Sequence, residues 1–221
     1  MMSLLDNDTR TQLTEMFETL NKPVKMVVFT QEFECQYCKE TREIAEELST
    51  LSDKISLEVY DFVADGDLAD QYGVDKIPAT VILEGGKAGK DYGIRYYGIP
   101  SGYEFSSLIH DVMMVSAGDP QLSAEMLDWL AELKTPVHLQ VFVTPTCPYC
   151  PQAVLLAHKL AMASDLVQAD MVEATEFPDL SNKYHVMGVP RTVINETIFQ
   201  EGAAPEMMML DKLKEAVAVA A

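Results

Sequence analysis

Cysteine is scarce in this chain of 221 residues: there are four, and all of them fall in two C-x-x-C pairs, Cys35-Gln36-Tyr37-Cys38 and Cys147-Pro148-Tyr149-Cys150. None is left over for a structural staple of the kind that holds small secreted folds together. Positive charge is short as well. Lys and Arg number 16 against 35 Asp and Glu, a formal net charge of −19, so the cation surplus that neutralises phosphates is missing and neither nucleic acid nor an anionic membrane surface is expected as a partner. No apolar run approaches the ~18 residues of a membrane-spanning helix. Met1-Met2-Ser3-Leu4-Leu5-Asp6 lacks the basic start and long apolar segment of a secretory leader. These absences lead us to expect a cytoplasmic protein. In that compartment disulfides are transient and catalytic, so the two pairs point to redox or metal chemistry.

What is present suffices for a core: 48% of residues are hydrophobic and 23% charged, the balance of one large or two small globular domains. Asp8 is expected to cap an opening helix whose inner face is Leu13, Met16, Phe17 and Leu20. Lys25 to Thr30 reads as a first strand. From Gln36 the spacing of Tyr37, Thr41, Ile44, Leu48 and Leu51 is helical, which predicts Cys35 at the N-cap and Cys38 in the first turn. Strands follow at Ile55 to Phe62, Ala79 to Leu83 and Tyr92 to Tyr97, with a short helix from Leu68 to Tyr72 ending at Gly73, a turn at Gly85-Gly86 and a closing helix from about Gly102 to Val115. Around Gly118-Asp119-Pro120 the pattern restarts with Leu122, Met126, Trp129 and Leu133 on one helical face, then the strand Val137 to Val143. A constant offset of 112 carries Cys35 onto Cys147, Tyr37 onto Tyr149, Tyr72 onto Tyr184, Val74 onto Val186, Pro78 onto Pro190 and Thr80 onto Thr192. Self-similarity on this scale predicts two copies of one domain, residues 1–117 and 118–221, each built as strand, helix, strand, helix, antiparallel strand pair and last helix.

A cysteine at a helix N-terminus gains the positive end of the dipole and unpaired backbone N–H donors, which favour its thiolate. Cys35 and Cys147 are therefore the expected nucleophiles. Cys38 and Cys150, three residues on, are shielded and close enough to resolve a mixed disulfide. Two knuckles holding one zinc are the rival reading, although knuckles that share a metal usually lie 15 to 20 residues apart. Tyr37 and Tyr149 read either as core aromatics or as site-shaping side chains. His158, in mid-helix, is expected at the surface, His185 is an incidental histidine ahead of Pro190, and Met207-Met208-Met209 fills the core.

With these motifs in place, each half resembles the thioredoxin fold, and Cys147-Pro148-Tyr149-Cys150 resembles the glutaredoxin motif. Two copies in one chain resemble the protein disulfide oxidoreductases of thermophilic archaea and bacteria. The resemblance implies an α/β chain of two tandem thioredoxin-like folds, each a mixed parallel and antiparallel sheet flanked by helices; the short Gly118-Asp119-Pro120 link and the high apolar content predict that the halves join into one continuous sheet. It implies redox-active disulfides Cys35–Cys38 and Cys147–Cys150, cis peptides at Ile77-Pro78 and Val189-Pro190 that face the cysteines and offer backbone to an extended substrate, no bound cofactor and no metal. Protein thiols and disulfides are the implied substrates, and a flavoprotein of the thioredoxin-reductase type is a further implied partner. The chain departs from glutaredoxins after Pro190, where it reads Asn195-Glu196-Thr197-Ile198 without their glutathione-holding signals. It departs from thioredoxins six residues before each first cysteine, where Phe29 and Val141 replace a buried Asp.

The leading expectation is thus a dithiol–disulfide oxidoreductase that oxidises, reduces or isomerises protein disulfides. A thiol electron relay between a flavoprotein reductase and a peroxidase or other acceptor, and a non-catalytic or zinc-binding scaffold, are the alternatives. The two sites should differ. Glu32, Glu34 and Glu40 surround Cys35, whereas Arg191 follows Pro190 and is expected to modulate Cys147.

Overall fold

The apolar segments Met26 to Phe29 and Val137 to Val143 become the central strands of a mixed sheet, because a strand covered on both faces needs no alternation of apolar and polar side chains. The structure, a computed structural model, describes residues 4–86 and 89–220. Met1 to Ser3, part of the leader reading above, and the residues that continue the Gly85-Gly86 turn at 87–88 lie outside it. In chain order the elements are α1 (Asn7–Phe17), β1 (Val24–Thr30), α2 (Cys38–Ser49), β2 (Ile55–Asp61), α3 (Gly66–Gln71), β3 (Ala79–Glu84), β4 (Asp91–Tyr97) and α4 (Tyr103–Ala117). They continue with α5 (Ala124–Glu132), β5 (Val137–Val143), α6 (Cys150–Ala163), β6 (Val167–Glu173), α7 (Pro178–Lys183), β7 (Arg191–Ile194), β8 (Ile198–Glu201) and α8 (Glu206–Ala220). The strands form one eight-stranded sheet in the order β2-β1-β3-β4-β6-β5-β7-β8.

Two compact units carry these elements. The first comprises Met1–Asp91, Tyr97–Ile99 and Val112–Asp119; the second comprises Tyr92–Tyr96, Pro100–Asp111 and Pro120–Ala221. In the first, β1 pairs in parallel with β2 and antiparallel with β3, and Val24, Met26, Val27, Val28 and Phe29 are fully buried. In the second, β5 pairs in the same two ways with β6 and β7, and Leu139, Val141, Phe142 and Val143 are fully buried.

The registers refine the repeat. Val24 pairs with Ile55 and Val137 with Val167, so the central strands are related by 113 positions while their parallel partners keep 112. The extra residue of the first unit falls between the end of β1 and Cys35, where Glu34 adopts φ 57°, a left-handed conformation that absorbs an added residue in a tight loop. The structural counterpart of Phe29 is therefore Phe142 and not Val141. Their ring contacts agree: Phe29 meets Tyr72 edge-on at 6.0 Å, and Phe142 meets Tyr184 edge-on at 5.9 Å. Both rings occupy the buried end of the central strand under the redox loop.

Some local expectations are corrected. The side chain of Asp6, and not that of Asp8, caps α1 by accepting from Thr9 N. Met16 stays largely exposed while Leu13 and Phe17 are buried, and of the methionine triplet Met209 is buried whereas Met207 and Met208 are exposed.

Candidate functional site

Each C-x-x-C begins where a central strand ends. After Thr30 and after Val143 the chain leaves the sheet, and both helices start at the second cysteine, with Tyr37 and Tyr149 as their N-cap residues. Cys35 and Cys147 thus stand two residues ahead of the cap and not on it. They still lie within the field of the N-terminus, beside its unpaired N–H groups. Both pairs are closed as disulfides, Cys35–Cys38 and Cys147–Cys150, each with Cα atoms 5.5 Å apart. Burial differs within each pair: Cys38 is 2% and Cys150 0% exposed, Cys147 8%, and Cys35 is half-buried.

Within each unit, antiparallel pairing brings the proline to the C-terminal end of the central strand. Ala79 pairs with Phe29, and Arg191 with Phe142, so the residues just before Ala79 and Arg191 arrive beside the point where each redox loop starts. Ile77-Pro78 and Val189-Pro190 are both cis. Each proline is buried, with the preceding residue half-exposed, and each proline carbonyl accepts from the next strand region, Pro78 from Gly98 N at 2.9 Å and Pro190 from Gly202 N at 2.8 Å. Phe33, Tyr149 and Met187 are 79%, 69% and 93% exposed. Tyr149 is therefore no core aromatic, and an apolar side chain stands in the open close in sequence to each redox motif. A groove of ≈ 440 Å³ also borders Cys35 and is lined in addition by Thr30, Lys39, Arg42, Tyr60 and Asp61.

The charges around the sites differ. Lys39 approaches Glu43 at 3.9 Å and Arg42 Nε lies 2.6 Å from Glu46, so both cations of the first site are drawn along α2. Glu40 Oε2 is buried without a hydrogen-bond partner. Arg191 is engaged too: its guanidinium pairs with Glu201 and lies over the Phe199 ring at 4.5 Å.

The second unit holds a buried polar group that the sequence reading overlooked. Tyr103 N donates to Pro145 O at 3.0 Å, which fixes the start of α4 beside the loop that carries Cys147. Further along, His158 Nδ1 donates to Asp111 Oδ2 at 2.5 Å and ties α4 to α6. α4 thus begins against the loop that leads into α6, and the two helices meet at Asp111 and His158. At 1.5 Å per residue Glu104 lies about 10 Å before Asp111 and Cys150 about 12 Å before His158, so both precede that contact by a similar rise. Glu104 is 1% exposed and accepts from Ser107 Oγ at 2.7 Å, while its Oε1 has no partner. Burial pushes its carboxyl up to about 7; Asp111 adds to the rise, and the Ser107 hydrogen bond and His158 oppose it. His158, expected at the surface, is fully buried. A signal was available: α6 is apolar almost all round, and a helix of that kind is buried on every face. Among the described residues no group of three or more His, Cys, Asp or Glu is placed to hold a metal ion.

These are thioredoxin-fold sites, and comparison with known proteins agrees. The family model described as "Thioredoxin domain" matches residues 137–215. The crystal structure of a protein disulfide oxidoreductase from Aeropyrum pernix K1 shares 31% identity and a TM-score of 0.88, over 97% of this chain and 95% of that one. An N-terminal domain of alkylhydroperoxide reductase AhpF from Enterococcus faecalis shares 28% identity and a TM-score of 0.85, over 95% and 99%. The F component of alkyl hydroperoxide reductase from Xanthomonas campestris pv. phaseoli is 23% identical over 95% of this chain but only 37% of its own length; the chain spans little more than a third of the curated relatives it matches. The chain belongs to the protein disulfide oxidoreductases.

Proposed function

We propose that this chain is a dithiol–disulfide oxidoreductase that exchanges electrons with protein thiols and disulfides at Cys35–Cys38 and Cys147–Cys150. The observation that carries the reading is the twofold pairing of a strand-to-helix C-x-x-C disulfide with a cis X-Pro loop at the C-terminal end of each unit's central strand. Cys35 and Cys147 attack; Cys38 and Cys150 resolve. Ile77 and Val189 offer backbone to an extended client, Pro78 and Pro190 shape the loops that present it, and Phe33, Tyr149 and Met187 give it apolar contact. The two sequence repeats run 1–117 and 118–221, with the second site drawing Glu104 from the first repeat, and a cytoplasmic setting suits their chemistry.

In the reducing direction the Cys147 thiolate attacks one sulfur of a client disulfide, which breaks the client S–S bond, expels one client thiolate and leaves a Cys147–client disulfide. Cys150 then gives its proton to the Glu104 carboxylate and attacks Cys147 Sγ. The second client thiolate leaves, and the Cys147–Cys150 disulfide forms. The client has gained two electrons, the site has lost two, and the proton passes from Glu104 to solvent or a departing thiolate. Oxidation of a client dithiol is the reverse. A thiol with no exposed surface needs an internal proton acceptor, and Glu104, at the start of α4, supplies it.

Insulin reduction by the wild type and by the Cys35→Ser and Cys147→Ser variants tests this. Activity is expected in the wild type and, reduced, in each variant. A wild type that leaves insulin intact while both disulfides respond to dithiothreitol overturns the reading.

The likeness to AhpF favours a second role, an electron relay in which a flavoprotein reductase of the thioredoxin-reductase type loads one disulfide and a hydroperoxide-reducing partner draws on the other. Pyridine-nucleotide-driven reduction of the chain by such a flavoprotein, lost on blocking one site, is its signature.

A further inference from the structure

Asp111, His158 and Tyr96 form a fully buried contact within the second unit. Asp111 Oδ2 accepts from both the His158 ring and the Tyr96 hydroxyl, whereas Asp111 Oδ1 and His158 Nε2 have no partner. The His158 ring also packs edge-on against Tyr96 at 5.1 Å. Removing such groups from water is expensive unless they are paired and satisfied, and the exchange steps above make no use of them. Their neighbour is the clue. Asp111 lies two turns after Glu104 on the same face of α4, and both His158 and Asp111 act on Glu104 through charge. The titratable groups facing this cluster are Tyr96 from β4, Glu104 and Asp111 from α4, and His158 from α6; Tyr96 is held protonated, its hydroxyl pushed well above the usual range by burial and then by Asp111 and Glu104.

Paired as carboxylate and imidazolium, Asp111 and His158 place opposite charges beside Glu104 that cancel in sum. Glu104 is then the group whose ionisation leaves a net charge inside the helix interface. We propose that Asp111 and His158 are positioning residues of the second site, whose contact across α4 and α6 sets the proton affinity of Glu104 and with it the pH at which Cys150 resolves. This rests on the exchange reading and on Glu104 as the acceptor of the Cys150 proton. It gives the second site a pH response that the first, without such a cluster among its described residues, lacks.

The test uses the full chain with Cys35→Ser and Cys38→Ser, so that the second site is read alone, and dithiodipyridine as the probe. One pyridine thione leaves on attack by Cys147; the second leaves on resolution by Cys150. The rate of the second release is expected to rise with pH through an inflection near 7, the value to which Glu104 is raised. His158→Gln removes the charge that opposes the rise and should move the inflection up by about one pH unit, while Asp111→Asn removes the charge that adds to it and should move it down by a similar amount. The double variant should return near the starting value, since the pair removed is neutral. Loss of fold would expose both thiols alike and would not move an inflection in opposite directions. Two single variants that shift it the same way, or leave it in place, overturn the inference. Absence of the first release from the unmodified second site overturns the exchange reading instead.

Discussion

A Cβ added to Gly102 would stand 2.2 Å from the carbonyl oxygen of Pro145, and Gly102 itself adopts φ +60°. No side chain fits there, so Gly102→Ala must displace either the start of α4 or the loop that carries Cys147. Because strain and clash act together, we expect a loss of about 2 kcal/mol or more in urea unfolding. Alkylation of Cys147 should change while that of Cys35 does not. A wild-type urea midpoint together with a wild-type rate at Cys147 would contradict this reading of the contact.

In the reduced protein, Cys35 and Cys147 are expected to take up iodoacetamide before Cys38 and Cys150, because the partners are 2% and 0% exposed and begin their helices. Peptide mapping after a short pulse reads the order. Label appearing first at Cys38 or Cys150 would reverse the assigned roles of nucleophile and resolver.

Stability should carry the mark of Glu104. Burial raises its carboxyl from the ordinary 4.5 to about 7, and a carboxyl raised by folding stabilises below its unfolded value and loses that contribution as pH climbs through the folded one. Wild-type stability is therefore expected to decline between these values, by on the order of 3 kcal/mol once Glu104 is fully ionised. Glu104→Gln, which still accepts from Ser107, should remove this part of the decline. Urea midpoints at pH 5 and pH 8 check it, and parallel pH dependence of wild type and variant would rule it out.

The sequence disclosed the repeat, both cysteine pairs and most strands, Val137 to Val143 to the residue, because apolar runs bounded by Gly and Pro are local signals. It misplaced the capping of the redox helices. The spacing of Tyr37, Thr41 and Ile44 extends the helical face through Gln36, while the closed pairs hold Cys35 and Cys147 two residues ahead of caps formed by Tyr37 and Tyr149. The constant offset of 112 concealed the extra loop residue that makes Phe142 the counterpart of Phe29. His158 and Glu104 were missed for another reason: their meaning lies in Asp111 and Cys150, brought to them by helix packing between segments far apart in the chain. The polar positions Glu104, Ser107 and Asp111, spaced three and four apart on α4, were the one visible hint.

Unequal surroundings should give unequal thiols. Near Cys35 the cations Lys39 and Arg42 are engaged by Glu43 and Glu46, which leaves Glu32, Glu34 and Glu40 to oppose ionisation. Near Cys147 the adjoining residues are neutral. We expect Cys147 to be the more acidic thiol, and its site the more oxidising. Thiolate absorbance titrations of the Cys35→Ser and Cys147→Ser variants measure the order, and an equal or lower value at Cys35 would sink it. Arg191 contributes less than its position in sequence suggests, because Glu201 holds its charge; Arg191→Ala should make the Cys147 thiol less acidic, and Glu201→Gln more acidic.

The closeness of the paired cysteines, with Cα atoms 5.5 Å apart in each unit, also bears on oxidative damage. Peroxide attacking Cys35 or Cys147 makes a sulfenic acid, which the neighbouring thiol condenses into the disulfide, with loss of water, before the sulfur climbs to the irreversible sulfinic and sulfonic states. The disulfide then becomes a parking position, and any reductant that restores the dithiol returns the site intact.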